Sequence, residues 1–149
     1  MTVPTISLSK RPSTVCEADV SERVIRWAQG TQTQLTLYED NSKISLQRQA
    51  AAFVLGAQLT EHPPSPSHLH TWMRLGYSSL NHFKGALAIA PEDGALWLLQ
   101  TLSPSSSHEQ LLAELESLLN QRDSWRAMAV RLTKPAHTSI PRLLSPQPY

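Results

Sequence analysis

One cysteine, six histidines and two adjacent pairs of carboxylates are the residues through which this chain of 149 amino acids could do chemistry. The lone thiol, Cys16, permits no intrachain disulfide and no multi-cysteine zinc site, and it suits a reducing compartment. It falls on the apolar stripe of an expected helix, where burial raises a thiol's pKa and leaves it as packing. Among the histidines, His62, His68 and His70 are the densest group. Residues two apart on a helix project about 200 degrees apart, so His68 and His70 do not converge on one ion, and the ligand spacings of zinc sites are absent. Gly76-Tyr77-Ser78-Ser79-Leu80 begins like a nucleophile elbow but lacks the closing glycine and sits inside a helix. With only 5 glycines there is no phosphate-cradling loop. Glu39 with Asp40, and Glu92 with Asp93, fall in turns, where carboxylates bond to nearby backbone. No candidate joins an activated group to a stabilising partner. The expectation is therefore no catalytic residue, no metal and no cofactor, with a small histidine and carboxylate hydrolase as the alternative from the enzyme class.

The elements that would position these residues can be read from periodicity. Cys16, Val20, Val24 and Trp27 form one stripe of a helix over Thr14–Gln29, with Ser13 as its cap and Gly30 as its stop. Leu35 and Leu37, then Ile44 and Leu46, alternate with polar residues on either side of a Glu39–Lys43 turn, a hairpin pattern. The apolar run Ala50–Leu59 reads as a third, more buried antiparallel strand. Ser65 and Pro66 open a second helix whose apolar positions are Leu69, Trp72, Met73, Gly76, Leu80 and Phe83, with Gly85 placed to end it. Ala86–Ala90 and Ala95–Leu102 flank the turn Pro91-Glu-Asp-Gly94, a second hairpin. Ser106 with Glu109 reads as a capping box for a third helix. Leu111, Leu112, Leu115, Leu118, Leu119, Trp125 and Met128 form its apolar face, and Arg122, Arg126 and Arg131 complement its C-terminal end. The fold class is α+β in the order α-β-β-β-α-β-β-α, an antiparallel sheet packed by helices. Four tryptophans, Trp27, Trp72, Trp97 and Trp125, fall on or near apolar faces, where an exposed one would be a protein-binding anchor.

Proline placement sets the organisation. Residues 1–13 read as a flexible tail, 14–132 as the domain, and 133–149, with Pro135, Pro141, Pro146 and Pro148, as a disordered proline-rich tail. A hydrophobic fraction of 40% and a charged fraction of 17% require that part of the chain folds. The net charge of +1 excludes a strongly basic nucleic-acid binder. No apolar run is long enough to span a bilayer, and no secretory signal opens the chain, so a cytoplasmic protein without membrane insertion is expected. Lys10, Arg11, Lys134 and Arg142 lie outside the domain, which makes the domain mildly acidic and its ends basic.

Gly85-Ala-Leu-Ala-Ile-Ala-Pro-Glu-Asp-Gly-Ala-Leu-Trp-Leu-Leu-Gln100, followed by Leu111-Leu-Ala-Glu-Leu-Glu-Ser-Leu-Leu-Asn120 and Trp125-Arg126, resembles the hairpin and leucine-rich last helix of the class I chaperones of bacterial type III secretion. With the element order, the resemblance covers about Thr14 to Leu132. It implies a non-enzymatic protein that binds an extended segment of a protein partner along its sheet and first helix, and that pairs as a homodimer through its middle helix. By that resemblance Val24, Trp27, Leu35, Leu37 and Ile44 lie near a partner groove, and Trp72, Met73 and Tyr77 near a dimer interface. The overall charge and proline-rich ends differ from the usual acidic effector escorts. They favour the regulatory, HrpG-type members of plant-pathogen Hrp systems, with effector escort as the alternative.

Overall fold

The computed structural model describes residues 13–133, with side chains from Asp19 onward. Its elements are α1 (Ser13–Gln29), β1 (Gln34–Glu39), β2 (Ser42–Arg48), β3 (Phe53–Gln58), α2 (Pro66–Ser79), β4 (Ala86–Ile89), β5 (Leu96–Leu102) and α3 (His108–Thr133). This is the expected order. The tails anticipated over 1–13 and 133–149 fall outside the described residues, except that Ser13 opens α1 and Thr133 closes α3.

The strands form one antiparallel sheet in the order β1-β2-β3-β5-β4. The first hairpin is tighter than the expected Glu39–Lys43 turn. Glu39 pairs directly with Ser42, and only Asp40 and Asn41 form the loop, both at positive φ (47° and 65°). Such a two-residue turn matches the right-handed twist of its strands, and Asp and Asn tolerate the left-handed region better than other side-chain-bearing residues. In the second hairpin Gly94, at φ 72°, donates to Ala90 O and Asp93 Oδ1 accepts from Ala95 N, so the Asp93 carboxylate does the backbone work expected of a turn acid.

Register places Leu37, Ile44, Ala57, Leu98 and Leu87 in one row across all five strands. These residues and their i±2 neighbours point to the face covered by the helices, because side chains alternate along each strand. There they meet Val24 and Trp27 of α1, Trp72 and Leu75 of α2, and Leu111, Leu115, Leu118, Trp125 and Ala129 of α3 in one core. Each large core side chain contributes about 1.5–3 kcal/mol of burial.

Two helix boundaries differ from expectation. The capping box of α3 lies one residue later, with Ser107 N donating to Gln110 Oε1 and Gln110 N donating back to Ser107 Oγ. A serine run followed by Glu109 and Gln110 offers two frames, and the observed one opens the helix at His108. Helix α2, capped as expected by Ser65 with Pro66 at its first position, ends at Ser79 and not at Gly85. Gly85 has another role. Its N–H donates to Gln121 Oε1 and its carbonyl accepts from Gln121 Nε2, and a Cβ there would fall against Gln121 and 2.8 Å from Leu118 Cδ1. The glycine lets the backbone entering β4 lie against α3.

Candidate protein-binding surfaces

Among the described residues the groups singled out for chemistry do not assemble. Cys16 lies outside the described side chains. His62, His68 and His70 are exposed, and among the described residues no cluster of histidine, cysteine, aspartate and glutamate could hold a metal ion. Ser78 and Ser79 sit in the last turn of α2, where the Ser78 hydroxyl donates to Arg74 O, so the elbow-like stretch is ordinary helix.

Arginine organises the surface instead. Arg48, at the end of β2, passes under the C-terminus of α1 and donates from Nη2 to Trp27 O (3.0 Å), Gly30 O (3.1 Å) and Ala28 O (3.3 Å). Its guanidinium carbon also lies 5.0 Å from the Trp27 ring centre and 5.1 Å from that of Phe53. A cation at the carbonyl end of a helix is favoured by the macrodipole, and here it fixes where α1 stops against β1. Arg122 and Arg126, read from sequence as complements to the C-terminal end of α3, turn inward. Arg122 is buried and bridges Glu39 Oε1 (3.2 Å) and Asp123 Oδ1 (2.9 Å). Arg126 donates to Leu59 O, Gln58 O and Ser42 Oγ. Burial, and then the neighbouring Arg122, pull the Arg126 guanidinium below its ordinary pKa, against the opposing charges of Asp123, Glu39 and Glu61. The pair tethers α3 to the β1–β2 turn.

This framework leaves three surfaces. The first is the outer edge of β1. Arg48 N donates to Thr33 O, and the register then directs the backbone groups of Thr33, Leu35, Leu37 and Glu39 toward β2. Those of Gln34, Thr36 and Tyr38 face outward, because paired and unpaired residues alternate in an antiparallel ladder. Beside this edge a cavity of about 420 Å³ opens between α1 and β1, lined by Arg23, Arg26, Trp27, Gly30 and Leu35 among others.

The second surface is the outer side of α2 and the β4 edge. Met73 is 59% exposed, Tyr77 82%, Leu80 71% and Ile89 60%, an unusual set of large apolar side chains left in water. The third is the helix-free face of the sheet. Trp97 and Leu99 lie across Gly56, where a Cβ would come 2.6 Å from Ser45 Oγ and 3.1 Å from Leu99 Cδ2. Trp97 is the half-buried tryptophan; Trp27, Trp72 and Trp125 are core.

Of the residues placed near a partner groove by resemblance, Val24, Trp27, Leu37 and Ile44 are buried beneath the helices, and only Leu35 keeps substantial surface. Trp27 nevertheless contributes to the wall of the α1–β1 cavity, beside Leu35. Of the dimer residues, Met73 and Tyr77 are exposed together, whereas the adjacent Trp72 faces the core. Leu80, about one turn beyond Tyr77 and not named for the interface from sequence, is exposed as well, as is Ile89 on β4.

Comparison with known proteins gives a consistent picture. The model of the Tir chaperone protein (CesT) family matches residues 27–126, from the end of α1 to the Arg122–Arg126 pair. No curated protein matches the chain. Among solved structures, a chain of the HopA1-SchA chaperone-effector complex superposes with a TM-score of 0.54 at 14% identity, covering 78% of this chain and 98% of that one. A chain of the ExsC-ExsE complex superposes with a TM-score of 0.56 at 13% identity, covering 78% and 94%. At such identities these two likenesses are of fold.

Proposed function

The chain belongs to the Tir chaperone protein (CesT) family, and from that membership we propose that it holds an extended segment of a protein partner of a type III secretion system against the outer edge of β1. The observation that carries this reading is the open row of backbone groups at Gln34, Thr36 and Tyr38 beside the α1–β1 cavity. An added strand would satisfy those groups, and one of its side chains would enter the cavity against Trp27 and Leu35. Neither Pro nor Lys interrupts β1, and its one charged residue, Glu39, stands at the turn end of the strand, so the outward-facing stretch Gln34–Tyr38 carries no charge to repel strand addition. The likeness to a chain of a chaperone-effector complex supports a protein as the ligand.

The exposed face formed by Met73, Tyr77, Leu80 and Ile89 is proposed as the homodimer surface, with Trp72 supporting it from the core. Two copies would turn one edge site into two on one particle. We further assign the partner to a regulatory protein of the secretion system. This rests on the overall charge of +1 and the basic, proline-rich ends, which differ from those of the usual acidic escort. Copurification of the tagged full chain from its native cells tests the assignment. Recovery of one stoichiometric, non-secreted regulator supports it. Recovery of secreted effectors alone overturns it and leaves effector escort.

A further inference from the structure

We propose that residues 134–149 of this chain dock in the cleft between α2, α3 and the loop preceding α2. The cleft holds about 660 Å³. Its apolar lining includes Leu59, Trp72 and Val130, and Pro63 and Pro64 form part of the wall. Leu59 and Trp72 form a largely buried floor, and Val130 with Pro63 gives the accessible apolar surface, against which extended, proline-containing segments pack at little entropic cost because they are already close to their bound conformation.

Three observations select the chain's own C-terminal segment as occupant. Thr133, the last residue of α3, lines the cleft, and its hydroxyl donates to Ala129 O within the last turn. The segment is therefore tethered at a residue of the cleft itself, and at about 3.1 Å per extended residue its 16 residues have the reach to lie along it. The second is charge. Asp40 and Glu61 stand exposed on the rim and make no ion pair among the described residues, while the donors of Arg126 are taken up by Leu59 O, Gln58 O and Ser42 Oγ. Residues 134–149 contain Lys134 and Arg142 and no carboxylate side chain. The third is composition: Pro135, Pro141, Pro146 and Pro148 with Ile140, Leu143 and Leu144 match an apolar, proline-walled cleft. Tethering supplies the rest, because a short linker presents its segment at an effective concentration on the order of 1 mM.

Hydrogen–deuterium exchange on the full chain and on a chain ending at Thr133 tests the docking, with the amides of β2, β3 and β5 as the internal check that both are folded. With a local dissociation constant about tenfold below the effective concentration, amides of the loop before α2, of its first turn and of the last turn of α3 exchange about tenfold more slowly in the full chain. The full-length double variant Glu61→Lys with Val130→Lys, which reverses the rim charge without touching the core, loses that protection. A synthetic peptide of residues 134–149 added to the shortened chain restores it, and the same peptide with Lys134→Glu and Arg142→Glu does not. Equal exchange in the two chains overturns the proposal. So does protection that rises with protein concentration, which would place a second copy in the cleft, and so does a charge-reversed peptide that protects as well as the native one.

Discussion

Replacing Arg48 by alanine should loosen α1 from the sheet while leaving the rest of the fold in place. The side chain is the main polar link between the end of β2 and the C-terminus of α1, through three carbonyls within 3.3 Å and two aromatic rings at about 5 Å. A hydrogen bond to a charged donor is worth about 1.5–3 kcal/mol, the helix-end charge about 0.3–1 and the ring contact about 0.5–1. These share one guanidinium and do not add, and part of the group is open to water. The expected loss is therefore about 2–4 kcal/mol. Urea unfolding followed by far-ultraviolet circular dichroism measures it, with the linear-extrapolation slope checking that the variant still unfolds in one step. Arg48→Lys keeps the charge but cannot fork to several carbonyls, so it should recover less than half of the loss. A loss under about 0.5 kcal/mol, or a lysine variant as stable as the parent, would refute the role given to Arg48.

Gly85→Ala should destabilise the protein by about 1–3 kcal/mol, since the added methyl strikes Gln121 and Leu118; calorimetry measures it, and Gly94→Ala offers a comparison in which backbone strain at φ 72° adds to a milder approach to Pro63. The hydrogen bond from Lys84 holds the Glu114 carboxyl below its ordinary pKa, against a smaller opposing effect of burial and with help from Gln100. A lowered folded-state pKa adds stability that is present above the unfolded value, about 4.3, and lost as pH falls through the folded one. Stability of the parent should thus fall more steeply than that of Glu114→Gln as pH is lowered from about 6 to about 3, and parallel curves would contradict this. Met73→Glu with Tyr77→Glu should convert a dimer to a monomer in sedimentation or light scattering while moving stability by less than about 0.5 kcal/mol, because both side chains already lie in water.

The element order was legible because its cues are local. Ser65-Pro66 opens α2, Pro91-Glu-Asp-Gly94 turns the second hairpin, and leucine spacing defines the inner face of α3. Boundaries slipped where one composition allows two frames, as at Ser106/Glu109 against Ser107/Gln110. The site was less legible. Apolar alternation identifies Leu37 and Ile44 as facing inward in β1 and β2 but does not say whether the inward face meets a helix of the same chain or a partner. The helices cover it, and the surface proposed for binding is backbone at a sheet edge, for which no side-chain pattern exists. Along α2, Trp72 and Met73 looked alike as apolar residues, yet adjacent helical positions point about 100 degrees apart and only one of them faces the core. Arg48, Arg122 and Arg126 act on residues distant in the chain, Glu39, Ser42 and the end of α1, and carry no local signature.

Strand addition at β1 is tested most directly by Thr36→Pro. The Thr36 N–H points away from β2, so proline there removes an outward donor and none of the ladder that holds the sheet, a substitution edge strands tolerate. Isothermal titration of the copurified partner's binding segment into parent and variant should show the dissociation constant rising at least about tenfold, from a lost main-chain bond and the ring standing in its place, with the unfolding midpoint nearly unchanged. Equal affinity in a folded Thr36→Pro protein would contradict binding at this edge.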